Sequence, residues 1–324
     1  MAGQAFACRP HLPYQDLEMS PSKESTHDAP PVTAGPTRFT YKSADGLTLS
    51  GEKWEATGCS EAPKVPVLCL PGLSRNTKDF HAIARFLQEQ GHEVIALDYR
   101  GRGQSEWDPE WHNYALPIEG QDIDAALSFL AIERFAILGT SRGGLHAMAM
   151  AERMDAGRIA GIILNDIGPR IEMKGIHRLA ASIGKQMKFL DQASCAGALM
   201  AGLNTQFPAM SAEDWLRFAG QLGASTHDGF ILEYDPALAK TLAMMDDGTP
   251  LPDIWPLFGT TTNMPMLILR GQHSDILSDD TCGEMKSRHP SAIVHEVSGE
   301  GHAPMLWDAT TQERIAAFLA QLNA

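Results

Sequence analysis

A serine acts as a nucleophile only where a base can take its proton and the backbone presents its hydroxyl. Gly139-Thr140-Ser141-Arg142-Gly143 offers such a setting: it follows the apolar run FAILGT directly and opens the helix-periodic stretch RGGLHAMAMAERM. In this strand, turn and helix context the G-x-S-x-G spacing has a physical cause. The turn is so tight that the positions two before and two after the serine leave no room for side chains. It holds the serine at a strained φ/ψ with its hydroxyl exposed, above a helix N-terminus that favours developing negative charge. The competing reading, an idle serine in a glycine-rich turn, does not account for the strand before it and the helix after it.

The base must be a histidine further along the chain. Of the twelve histidines, His302 lies in Ser298-Gly-Glu-Gly-His-Ala-Pro304, a glycine-flanked loop after the last strand candidate and before the final helix. His289 and His295 fall in or beside a regular strand, and His146 lies on the helix after Ser141, so His302 is the expected base. The acid that orients it should follow a strand, in the chain order Ser, Asp or Glu, His. Asp275, four residues past the strand candidate MLILRG, fits that order and is the expected acid. Asp166, at the end of IAGIILND, is the alternative, and Asp279 and Asp280 read as helix-start residues. Oxyanion donors are expected from the backbone amides of Arg142, next to the nucleophile, and Leu73, in the turn Pro71-Gly72-Leu73. The Arg142 side chain has two readings: anion recognition in the cleft, or a structural pair with a carboxylate such as Asp98 or Asp166.

These residues need a scaffold that brings distant loops together. RFTYKSADGLTLSGEKWEA alternates around an Asp45-Gly46 turn, a hairpin signal. Apolar strand candidates then follow at 65–70, 93–99, 135–140, 159–166, 266–271 and 292–297, alternating with helical stretches. Continuous apolar strands separated by helices imply a mostly parallel sheet with helices on both faces. The rhythm breaks between 171 and 258, where the chain reads mainly as helices. This predicts a helical cap over the carboxyl ends of the strands, with the core divided into 37–170 and 259–324. Trp107, Trp111, Phe189, Phe207, Trp215 and Met305 are among the residues that could line an apolar pocket.

Composition narrows the partners. Lys and Arg total 26 against 40 Asp and Glu, a formal charge of −14, which repels nucleic-acid phosphates and anionic membranes. Five scattered cysteines without C-x-x-C spacing predict neither a zinc ribbon nor a disulfide framework. No His, Cys, Asp and Glu cluster has ligand spacing, so no metal is expected. Gly101-x-Gly103 lacks the third glycine of a dinucleotide loop and Gly139 to Gly144 is not followed by lysine, so no nucleotide cofactor is expected either. No apolar run reaches the roughly 18 to 20 residues that span a bilayer, and no export signal is legible. Residues 1 to about 36, rich in Pro and Ser, are expected to form a disordered tail, with Met19 a second candidate start. A cytoplasmic location is the default reading, and the oligomeric state is not legible.

Taken together, PGLSRN, DYRGRGQS, GTSRGG, LNDIGP, RGQHSD and GEGHAP resemble the α/β-hydrolase superfamily over residues 65–322, with a cap inserted after the sixth strand. The resemblance implies a cofactor-free serine hydrolase acting on a small molecule with an ester-like carbonyl, an esterase or lactonase. C–C bond hydrolases, cofactor-free lyases or oxygenases and non-catalytic ligand-binding members share the same fold. Serine at position 141 argues against the members that use an aspartate nucleophile. Many members carry His-Gly where this chain has Pro71-Gly72, a change that leaves the Leu73 amide intact.

Overall fold

The computed structural model describes residues 35–57, 63–243 and 251–323. The tail expected over 1 to about 36 falls outside these residues except for its last two. The chain begins with the hairpin strands β1 (Thr37–Lys42) and β2 (Thr48–Trp54), which pair antiparallel around the Asp45-Gly46 turn. There follow β3 (Val67–Leu70), α1 (His81–Glu89), β4 (Val94–Asp98), α2 (Leu116–Phe129), β5 (Phe135–Thr140), α3 (Arg142–Arg153) and β6 (Ile159–Asn165). The segment that breaks the rhythm holds α4 (Met173–Ser182), β7 (Lys188–Phe189), α5 (Gln192–Leu203), α6 (Ala212–Leu222), β8 (Gly223–Thr226), β9 (Gly229–Leu232) and α7 (Ala239–Ala243). The chain then returns through α8 (Trp255–Gly259), β10 (Met266–Gly271), α9 (Asp279–Arg288), β11 (Ile293–Val297) and α10 (Ala309–Gln321).

The main sheet has the order β1-β2-β4-β3-β5-β6-β10-β11, antiparallel for the first two strands and parallel from β4 onward. Its strands read as unbroken apolar runs because both faces are covered. Along β5, Ile137 points into one cluster with α2, α3 and α9, while Ala136 and Leu138 point into another with α1 and α10. This is the α/β-hydrolase fold that the sequence predicts. Parallel pairing also aligns the carboxyl ends of β3, β5, β6 and β10, so the loops that follow them converge on one edge of the sheet.

The insertion departs from a purely helical reading. The chain leaves α4 after Ser182, passes through Gly184 at φ +75° and extends into β7 before α5 begins at Gln192. β7, β9 and β8 form a second, antiparallel sheet. α6 starts with the capping box formed by Ser211 and Asp214. Phe207, Trp215, Phe218 and Phe230 make a core of their own beneath these elements. α8 belongs instead to the main core, where Phe258 is fully buried.

Candidate active site

Ser141 joins the end of β5 to the start of α3 at φ +51°, ψ −112°, a left-handed conformation that costs a non-glycine residue on the order of 1–2 kcal/mol. The surrounding glycines are required by contact. A Cβ on Gly139 would sit 2.4 Å from the Gly143 carbonyl oxygen, and one on Gly143 would sit 2.0 Å from that of Leu70. Both obstacles are backbone, so no side-chain rearrangement relieves them. The Ser141 amide donates to the Asn165 carbonyl at 2.9 Å, tying the turn to the end of β6.

His302 comes from the loop between β11 and α10, as the sequence predicts. Its Nε2 lies 2.9 Å from Ser141 Oγ and its side chain is 5% exposed. The acid at its other nitrogen is Asp166, with Oδ2 2.8 Å from His302 Nδ1. The expectation that Asp275 would occupy this place is therefore corrected. Asp275 makes no hydrogen bond to His302 and instead holds Arg178 of α4 through two bonds of 2.7 and 2.8 Å. Burial acts to raise the Asp275 pKa, but the Arg178 guanidinium outweighs it and holds the carboxyl below its ordinary value.

Local backbone explains the exchange. Asp166 sits one residue past β6 at φ +58°, and its amide donates to the Leu269 carbonyl, which aims its side chain along the sheet edge toward the loop that carries His302. Its Oδ1 accepts from the Gly271 amide at 2.8 Å and its Oδ2 from Ser274 Oγ at 2.6 Å, and the side chain is wholly buried. The loop after β10 thus supplies supports for the carboxylate that meets His302, through Gly271 and Ser274, and not that carboxylate itself. α4 presses on the same loop, since a Cβ on Gly175 would meet the Asp275 carbonyl oxygen at 2.6 Å. β6 lies directly between β5 and β10, with Asn165 in register with Thr140.

Leu73 and Gly72 line the same cleft as Ser141, and among the described residues neither the Leu73 nor the Arg142 amide donates to a protein acceptor. The Arg142 side chain takes no part in the cleft. Its Nε lies 2.6 Å from Glu119 Oε2 and its Nη2 donates to the Tyr114 carbonyl. Its partner is Glu119, not Asp98 or Asp166. Arg102 and His146 complete a buried cluster around that one carboxylate, at 2.7 and 3.1 Å. Burial alone would raise the Glu119 pKa, but Arg142 and Arg102 pull it well below the usual range. Asp98 accepts from the Thr77 and Gln104 amides, and burial pushes its carboxyl up to about 6.

Above Ser141 opens a cavity of about 550 Å³ whose walls come from the strand-end loops and from the insertion. Leu179, Ile183, Phe189, Leu203, Phe218 and Met305 give it an apolar lining. Phe189 and Met305 were expected there. Phe207 and Trp215 lie instead in the insertion core, and Trp107 is 54% exposed. Among the described residues no group of three His, Cys, Asp or Glu could hold a metal, and no helix is long and apolar enough to cross a membrane.

Fold and site together define a hydrolase-type scaffold, and comparison with known proteins assigns it: the chain belongs to the α/β-hydrolase superfamily. The alpha/beta hydrolase fold family matches residues 65–192. A 3-hydroxybutyrate-oligomer hydrolase of Cupriavidus necator is 30% identical over 255 residues, covering 76% of this chain and 85% of that protein. An alpha/beta hydrolase from Novosphingobium aromaticivorans superposes with a TM-score of 0.82 at 34% identity, over 89% of this chain and 99% of that one. An esterase from Exiguobacterium antarcticum, 15% identical with a TM-score of 0.65 over 88% of this chain and 99% of its own, shares the fold.

Proposed function

We propose that this protein is a serine hydrolase of carboxylic esters that works through an acyl-enzyme on Ser141. The observation that carries the reading is the unbroken hydrogen-bonded chain from Ser141 Oγ through His302 to Asp166, at 2.9 and 2.8 Å, beneath an apolar cavity. His302 Nε2 takes the serine proton as Oγ adds to the ester carbonyl, and Asp166 keeps the other ring nitrogen protonated and stabilises the imidazolium. The Leu73 and Arg142 amides, both without protein acceptors among the described residues, supply the donors for the oxyanion. His302 then returns the proton to the leaving alcohol, and water, activated by the same histidine, releases the acid. The nucleophile, base, acid and donors all belong to the chain itself.

Short oligoesters of hydroxyacids are the substrate class we favour. The similarity to a 3-hydroxybutyrate-oligomer hydrolase supports it, as does the chemistry of the cavity wall. Such a molecule is apolar along its chain and carries a free carboxylate at one end. The cavity has an apolar lining and two cations on the α4 side, Arg178 and Lys185. Lys185 has no acidic partner among the described residues, unlike Arg75, whose guanidinium is held by Asp79. The experiment is a fluorophosphonate label on wild type and Ser141→Ala, run beside hydrolysis of p-nitrophenyl butyrate and a 3-hydroxybutyrate dimer. Labelling lost in Ser141→Ala, with kcat falling about 10³-fold or more, is the expected result. Turnover within tenfold of wild type would exclude the covalent route.

A further inference from the structure

The base is not held by the main domain alone. The amide of His302 donates to Gln206 Oε1 at 3.0 Å, and Gln206 belongs to the insertion, in the turn between α5 and α6. That turn is itself anchored: the Gln206 and Phe207 amides both donate to the Leu203 carbonyl, and Phe207, 1% exposed, packs against Trp215 and Phe218. Gln206 is 6% exposed. The two chains meet so closely that a Cβ on Gly301, the residue before the base, would lie 2.5 Å from Gln206 Cβ.

A second set of contacts runs the same way. Met305, three residues after the base, is buried in the insertion's own core with Phe207 and Trp215. Trp307 packs beneath the Arg217 guanidinium of α6, 4.0 Å from ring centroid to charge. The main domain fixes the same loop through Asn165, which donates to the Pro304 carbonyl at 3.0 Å. The loop is thus gripped from below by the sheet and from the side by the insertion.

We infer that Gln206 is a positioning residue for His302, so that the insertion supports the base as well as walling the substrate cavity. This rests on the reading of His302 as the base of Ser141. Among the described residues this partly buried backbone amide has Gln206 Oε1 as its acceptor, and removing that acceptor lets the peptide entering His302 rotate toward another partner. The 2.9 Å contact between Nε2 and Ser141 Oγ is then populated for a smaller fraction of the time, which lowers kcat while leaving the walls that set substrate affinity in place.

The test compares Gln206→Leu with Gln206→Glu in the full chain, by steady-state hydrolysis of p-nitrophenyl butyrate from pH 5 to 9 and by thermal unfolding. Leucine removes the acceptor, and kcat is expected to fall about tenfold with KM within about threefold. Glutamate keeps the acceptor and adds a negative charge beside the imidazolium, so kcat at pH 8 is retained within about threefold. The acid limb of its pH profile moves to higher pH, because the charged form of the base is favoured. The proposal is overturned if Gln206→Leu keeps kcat within twofold, if Gln206→Glu is damaged as much as Gln206→Leu, or if its acid limb does not move. Should Gln206→Leu not fold, the glutamate profile decides. Ser141→Ala run alongside separates the two ideas: an active Ser141→Ala rejects the serine mechanism, whereas an inert one with unaffected Gln206 variants rejects only the role of Gln206.

Discussion

Replacing Asp166 with asparagine keeps the shape of the side chain and exchanges one acceptor for a donor. The consequence follows from what surrounds each oxygen. Oδ1 faces the Gly271 amide, which can only donate, so the asparagine oxygen must take that position. The NH₂ group then falls where Oδ2 was, facing Ser274 Oγ and His302 Nδ1. Ser274 can adapt, because a hydroxyl accepts as well as donates. The imidazole can meet a donor at Nδ1 only by carrying its proton on Nε2, which aims an N–H at Ser141 Oγ and leaves no lone pair to take the serine proton. Loss of the correct tautomer and of imidazolium stabilisation is worth about 10⁴ in kcat, or about 5.5 kcal/mol at 1.36 kcal/mol per decade. Asp275→Asn breaks the pair with Arg178, a partly exposed guanidinium, and removes a negative charge that acts on His302 without a hydrogen bond to it. It should cost about 1–2 kcal/mol of stability and keep kcat within about tenfold. The assay is steady-state hydrolysis of p-nitrophenyl butyrate with the rate of fluorophosphonate labelling, on both variants. If Asp275→Asn proved the more damaging, the reading of Asp166 as the acid would be refuted.

Three further outcomes are expected. Glu300, whose carboxylate accepts from the Met305 amide and faces Asp308 and Asp214, is pushed up to about 7 by burial. Its native state therefore holds a proton that the unfolded chain releases near 4.5, and stability is lost as pH rises through that window. Glu300→Gln should leave unfolding at pH 4 nearly unchanged and raise stability at pH 8, on the order of 1–3 kcal/mol; denaturant titration at both values checks it. Arg142→Met should lower stability by about 3 kcal/mol by stripping a partner from buried Glu119, and should affect neutral and carboxylated esters alike; a selective loss on the anionic ester would place the guanidinium in the cleft after all. Lys185→Met should reduce the kcat/KM ratio of a carboxylated ester to its neutral analogue about five- to tenfold, and 0.5 M salt should shrink the wild-type ratio in the same direction; an unchanged ratio removes Lys185 from substrate recognition.

The pairing of Ser141 with His302, the proposed nucleophile and base, is legible in the sequence because both positions are dictated locally. Gly139 and Gly143 are forced by backbone contacts within the turn itself, and His302 needs only a loop after a strand. The acid was less legible, because its choice depends on which strands are neighbours. Asp275 and Asp166 both follow apolar strands between Ser141 and His302 in the chain. They are separated by the register that sets Asn165 beside Thr140 and by the left-handed turn at Asp166, a conformation its residue type permits but does not announce. Ser274 and Gly271 carried no motif, since their role is to satisfy Asp166. The strands were predicted to within one or two residues, for each is an apolar run with both faces covered. The small sheet of the insertion was missed because β7 has only two residues and its alternation is too short to register.

The buried cluster under the elbow bears on how the oxyanion is stabilised. A guanidinium at position 142 would be a strong anion partner if it were free, yet its charge is spent on Glu119, which Arg102 and His146 also approach. Burial lowers the His146 pKa, which favours its neutral form and leaves two guanidinium groups around one carboxylate. That arrangement ties the first turn of α3, which carries the Arg142 amide, to the Tyr114 carbonyl. On the proposed mechanism the side chain would act on the reaction only by fixing where its own backbone points. Within that proposed mechanism, stabilisation of negative charge is left to two amides and a helix N-terminus, groups oriented before substrate arrives that need no rearrangement as charge develops. Residue 142 can, on the same proposal, be arginine without making the site an anion trap, and discrimination between charged and neutral esters falls to the insertion, where Lys185 lines the cavity without an acidic partner among the described residues while Arg178 is held by Asp275.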